Sequence, residues 1–132
     1  VCLANIVVNE IQAIPDIVSF AASAAAATAS RPAADRVLAG DPEYRVRNYF
    51  RDATGRMLAG VWESTPGRWR VKYTENEFCH ITAGEVRIES DGGGRWAFGA
   101  GASFVIPAGF SGVWEVAKPL RKLYVLFGSA SS

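Results

Sequence analysis

Glu77, Cys79 and His80 are the residues of this chain whose types and spacing come nearest to a metal site. Carboxylate, thiolate and imidazole are ordinary ligands of transition metals, and a working site needs three or four of them converging. His80 is the one histidine in 132 residues. In a regular strand, residues two apart share a face, so Glu77 and Cys79 point together and His80 points away. Two ligands do not make a site. No cofactor or metal is therefore expected, and a divalent metal would require a bulge that brings all three together. His80 falls to a surface or an interface, and Cys79 reads as an inert core thiol. Cys2 and Cys79 form neither a CxxC pair nor a disulfide framework, which points to a reducing compartment and a cytoplasmic protein.

Alternation supplies the remaining candidates. Trp69, Val71 and Tyr73 share one strand face; Arg68, Arg70 and Lys72 share the other. Each large apolar side chain that is fully buried contributes about 1.5–3 kcal/mol, whereas burying the cations without a partner anion is costly. The Tyr73 face is therefore expected inward, and the basic face becomes the wet side of a strand. With a formal net charge of +1, the chain carries no field that would draw it to nucleic acid or an anionic membrane. If Glu77 also faces inward it needs a hydrogen bond, and Tyr73 is the nearest inward partner by sequence. Such a carboxylate can have a raised pKa and serve as a general acid or base. A purely structural Tyr73–Glu77 hydrogen bond is the alternative, and both stay open at this point.

Trp114 shares a face with Gly112 and Val116, either as core packing or as the wall of a pocket, and Trp62 reads the same way. Lys122 and Tyr124 lie opposite Leu123, Val125 and Phe127. An inward Lys122 would favour an anionic ligand such as a carboxylate, although solvent is the commoner place for lysine.

The elements that must position these residues are short strands. Segments 44–50, 57–63, 68–74, 78–82, 85–89, 95–98, 103–106, 112–117 and 120–127 are rich in aromatic and branched residues. Turn signals such as Asp52-Ala53-Thr54-Gly55, Thr65-Pro66-Gly67 and Asp91-Gly92-Gly93-Gly94 separate them. No helix-length amphipathic segment interrupts the series, so an all-β sandwich or closed barrel is expected rather than a parallel α/β sheet. Residues 1–30 form an extension, with possible short strands at 6–8 and 17–20 and an alanine-rich run at 21–29. Residues 31–132 form one domain, and Gly40-Asp41-Pro42 punctuates an irregular connection. The apolar run after Ile17 lacks the basic start of a secretory signal and is interrupted too often to span a membrane.

A resemblance sharpens the fold. Glu77 is followed by six residues and Gly84; Gly101 is followed by five residues and then Pro107-Ala108-Gly109. Around them stand Gly60-Val61-Trp62-Glu63, Pro66-Gly67, Glu77-Phe78, Ile106 to Phe110, Gly112-Val113-Trp114-Glu115-Val116 and Arg121 to Val125. From about Arg31 to Phe127 the chain resembles the cupin family grouped with (S)-ureidoglycine aminohydrolase and the ethanolamine-utilisation cupins. The resemblance implies a small RmlC-like jelly-roll barrel, a double-stranded β-helix with a ligand pocket in its interior. Family enzymes hold a metal with three histidines and a glutamate. Glu77 matches the glutamate, while the histidine positions fall on Val71 and Tyr73, or on Arg70 and Lys72 in the alternative spacing, and on Gly112.

Two functions follow, beside a third reading as an interaction protein whose outward apolar strands serve a partner. One is a metal-independent module that binds a small polar or anionic metabolite, with Trp62, Cys79, Trp114, Lys122 and Tyr124 as candidate ligand residues. The other is an enzyme of small nitrogenous or carbonyl compounds that uses Glu77 with Tyr73. A homodimer is expected, with the apolar N-terminal strands crossing to the second subunit.

Overall fold

In the computed structural model, which describes residues 14–128, the alternating segments become nine strands and one 3-10 turn. In order they are β1 (Thr28–Ser30), the turn (Ala34–Arg36), β2 (Val37–Gly40), β3 (Tyr44–Arg51), β4 (Met57–Ser64), β5 (Gly67–Lys72), β6 (Asn76–Ser90), β7 (Arg95–Gly99), β8 (Ser103–Ile106) and β9 (Ser111–Phe127). All strand pairs are antiparallel.

Two long strands organise the sheet. The first half of β9 lies between β5 and the second half of β6, while its second half lies between β4 and the first half of β6. β2 extends the β5 side, β3 and β1 extend the β4 side, and β7 and β8 flank the two halves of β6. The result is two leaves joined through β6 and β9, closing over one interior as a jelly roll. Trp69, Ile81, Val86, Ile88, Ile106, Trp114, Val116 and Leu120 fill that interior.

Several boundaries differ from the sequence expectation. Segments 78–82 and 85–89 are one strand, β6, and segments 112–117 and 120–127 are one strand, β9. The gap between segments 78–82 and 85–89 is not a turn: Gly84 sits in a bulge where the β6–β9 register shifts. Its φ of +90° is open to glycine, and a Cβ there would collide with the backbone carbonyl of Pro119. The bend of β6 therefore nests against the bend of β9. The connection around residue 40 is more ordered than expected, since β2 pairs with β5 there.

No strand forms at 17–20. Ile17 and Val18 are exposed and join no strand, and Phe20 is anchored by stacking on Tyr49 at 4.8 Å instead. The end of the alanine-rich run does join the sheet, as β1. The 6–8 segment and Cys2 lie outside the described residues.

Candidate functional site

The interior opens at one end into a cavity of about 510 Å³. Its location follows from the pairing. β2 pairs with β5 only as far as Trp69, so the last residues of β5 face the 3-10 turn across an unpaired edge. The cavity enters there and runs inward past Tyr44, Trp62, Trp69 and Val71 to Tyr73, Glu77, Trp114 and Lys122.

The floor holds a buried charge pair. β4 and β9 set Trp62 opposite Lys122, and β6 presents Glu77 on its inward face beside the same strand. Lys122 is 3% exposed and Glu77 5%. The Lys122 Nζ donates to both carboxylate oxygens of Glu77, at 3.1 and 3.0 Å, and lies 3.7 Å from the Cys79 sulfur. It also sits over two indole faces, 4.4 Å from the ring centre of Trp114 and 4.6 Å from that of Trp62. Cation–π attraction strengthens when the cation is desolvated, as this one is. The Tyr73 hydroxyl donates to Glu77 Oε1 at 2.9 Å.

Every oxygen of the buried carboxylate thus meets a donor, as burial requires. Lys122 is therefore an interior residue, against the commoner solvent placement of lysine. The Trp114 Nε1 is buried with no hydrogen-bond partner among the described residues.

Burial pushes the neighbouring acids toward their neutral forms. The Tyr73 phenol is held well above its ordinary range, first by desolvation and then by the Glu77 charge. It remains a donor and is unsuited to act as a base near neutrality. Desolvation pushes the Cys79 thiol up to about 12 despite the opposing Lys122 ammonium, so it is a thiol and not a nucleophilic thiolate. Tyr124 is likewise raised to about 12 by burial and then by Glu77.

Of the seven candidates read from the sequence, Tyr73, Glu77, Trp62, Trp114 and Lys122 line this cavity. Cys79 does not; it lies behind Lys122. Tyr124 donates to Asn48 Oδ1 at 2.7 Å and lines a smaller neighbouring cavity of about 240 Å³. His80 points away from Glu77 and meets the Ser103 hydroxyl at 2.7 Å. Sequence reasoning missed Tyr44, Arg36 and Lys72 as cavity residues. Tyr44 begins β3 in an alternating run, a signal that gave a strand but not a position at the pocket.

The donor set does not fit a divalent metal. Among the described residues no three His, Cys, Asp or Glu side chains converge. The Glu77 carboxylate is occupied by an ammonium. A Cβ on Gly112 would strike the carbonyl of Glu89 in β6, so that position cannot carry a ligand side chain without moving backbone.

Comparisons with known proteins agree on the fold. The chain superposes on a Pseudomonas syringae protein of unknown function from the DUF861 family with a TM-score of 0.71 and 22% identity. That match covers 80% of this chain but 45% of the Pseudomonas protein, so the chain spans under half its length. The Clostridium difficile EutQ protein matches with a TM-score of 0.59 and 19% identity, covering 76% of this chain and 82% of that one. A Thermotoga maritima DUF861 protein is 31% identical over 51% of this chain and 76% of its own, with a TM-score of 0.50. No curated protein matches the chain. Among the described residues no helix is long and apolar enough to cross a membrane. Residues 51–124, more than half of the sequence, match the profile of the EutQ-like cupin domain, and the chain belongs to that family.

Proposed function

We propose that this protein is a metal-independent cupin that binds a small polar or anionic metabolite in its barrel. The observation that carries the reading is Lys122 on Glu77. The carboxylate that matches the family's metal ligand is neutralised by the chain's own ammonium, inside an aromatic cavity of small-molecule size. Native mass spectrometry of untagged protein purified without chelator tests it. The expected mass carries no metal, and a stoichiometric metal overturns the reading.

A second reading is catalysis on a small nitrogenous or carbonyl compound, in the manner of ureidoglycine aminohydrolase, with Glu77 as acid or base. It is favoured by the Tyr73 hydroxyl on Glu77 Oε1, which leaves Oε2 bonded to Lys122 alone. Glu77→Gln separates the two. In an enzyme it abolishes turnover; in a binding module it changes only affinity or stability.

We further propose a homodimer and a cytoplasmic location. Phe78, Val105 and Phe127 are exposed on one outer face, and Ile14, Ile17 and Val18 are exposed on the N-terminal segment, which supports association of copies. The buried free thiol of Cys79 suits a reducing compartment.

A further inference from the structure

We infer that the cavity selects an organic monoanion with an apolar or ring body, such as an aryl-alkanoate, bound with its carboxylate at the mouth and its body inward. The inference rests on the binding reading above and adds the ligand's class and direction.

The floor has no positive charge to spare. Lys122 is committed to both oxygens of Glu77, so an anion pushed to the floor meets a carboxylate already there. Breaking that pair leaves a charge buried and unpaired, which is strongly unfavourable.

The available cations stand at the mouth. Arg36 on the 3-10 turn and Lys72 at the end of β5 both border the cavity and are exposed. Neither makes an ion pair among the described residues, whereas Arg70 is held by Asp91 at 2.9 Å. Glu75 is the carboxylate that borders the same cavity without an ion pair among the described residues. Two cations and one anion leave a net charge of +1, which suits a carboxylate better than a phosphate dianion.

Between mouth and floor the walls are aromatic. Tyr44 stands 5.1 Å from Trp62 and 5.4 Å from Trp69, ring centre to ring centre, with Val71 beside them. A ring or alkyl body is removed from water there, while a fully polar ligand would lose hydration without gaining partners.

The test is titration calorimetry with 3-phenylpropanoate, its neutral amide, propanoate and phenyl phosphate, at 50 and 500 mM NaCl. Phenylpropanoate should bind more tightly than the amide by about tenfold, the scale of two exposed ion contacts. Propanoate should bind more weakly still, because it lacks the ring. High salt should erode the preference over the amide, since a charge at an open mouth is screened.

Arg36→Gln with Lys72→Gln should bring acid and amide to equal affinity, and Arg36→Glu with Lys72→Glu should turn the preference toward 3-phenylpropylamine. Both positions are on the surface, so folding is not at stake. A preference that survives either double variant or is indifferent to salt places the anion elsewhere and overturns the inference. So does tighter binding of phenyl phosphate or of propanoate, or no binding of phenylpropanoate. The underlying reading fails separately: a panel of small polar and anionic compounds would then leave the indole NMR resonances unmoved.

Discussion

At Lys122 the chain buries an ammonium against a carboxylate and two indoles, and the energetics of that arrangement are unequal. Removing one member leaves the other charge stranded, which typically costs about 3–5 kcal/mol, while replacing both with apolar groups of similar volume is often near neutral. Lys122→Met should therefore lower the stability measured in urea by about that amount. Lys122→Met combined with Glu77→Leu should recover most of the loss. A double variant as unstable as the single one would show that the pair is not what the region depends on.

Cys79 gives a pH prediction with a definite sign. The folded thiol keeps its proton up to about pH 12, while an unfolded thiol loses it near 9. Between those values the unfolded state binds fewer protons, so stability falls as pH rises, by about 1.4 kcal/mol per pH unit for this group. Urea melts at several pH values between 9 and 11 should show a shallower slope in Cys79→Ala than in the wild type. Equal slopes would mean that the thiol is not shielded.

Among the elements, β6 and β9 are sensitive at their paired bend and where their backbones lie against each other near Gly112. At Gly84 a side chain meets both a positive φ and the Pro119 carbonyl, and at Gly112 it meets the backbone of β6. Gly84→Ala and Gly112→Ala should each destabilise by more than about 2 kcal/mol, read from thermal or urea unfolding. Gly93→Ala, in a turn with open space around it, loses only the backbone contribution and should cost less.

These bends also mark where the sequence was legible and where it was not. β3, β4 and β8 could be read from alternation and punctuation: Pro107 follows the end of β8, as a residue without an N–H should. Gly84 looked like a turn because composition does not distinguish a bulge inside a strand from a break between two. Alternation placed Glu77 with Cys79 and Lys122 with Tyr124. It could not say which face of β9 is inward, because that depends on pairing with β4 and β6. The Tyr73–Glu77 bond was readable because the two lie only four positions apart. The Lys122–Glu77 bond spans 45 positions and has no local signal. Arg36 and Lys72 border one cavity because the pairing of β2 with β5 ends at Trp69, a property of the assembled sheet.

As a whole molecule, the barrel is apolar on an outer face as well as inside. Phe78 pairs with Val105 on β8 and Val125 on β9, and Phe127 lies nearby on β9. If that face joins copies, the wild type should sediment as a dimer, and Phe78→Asp with Val105→Asp should sediment as a monomer without loss of the fold. A monomeric wild type would remove the dimer.

The placement of β9 also sets when the protein comes into being. It is an inner strand of both leaves, pairing Met57 with Phe127 on one side and Gly67 with Val116 on the other. Until it docks, β4 and β5 each lack one of their two neighbours and the interior lacks both Trp114 and Lys122. Such closures between distant parts of the chain are slow, on the order of milliseconds to seconds in all-β domains. Refolding should therefore show no partly built pocket, and ligand binding and the burial of the cavity tryptophans should recover in one kinetic phase.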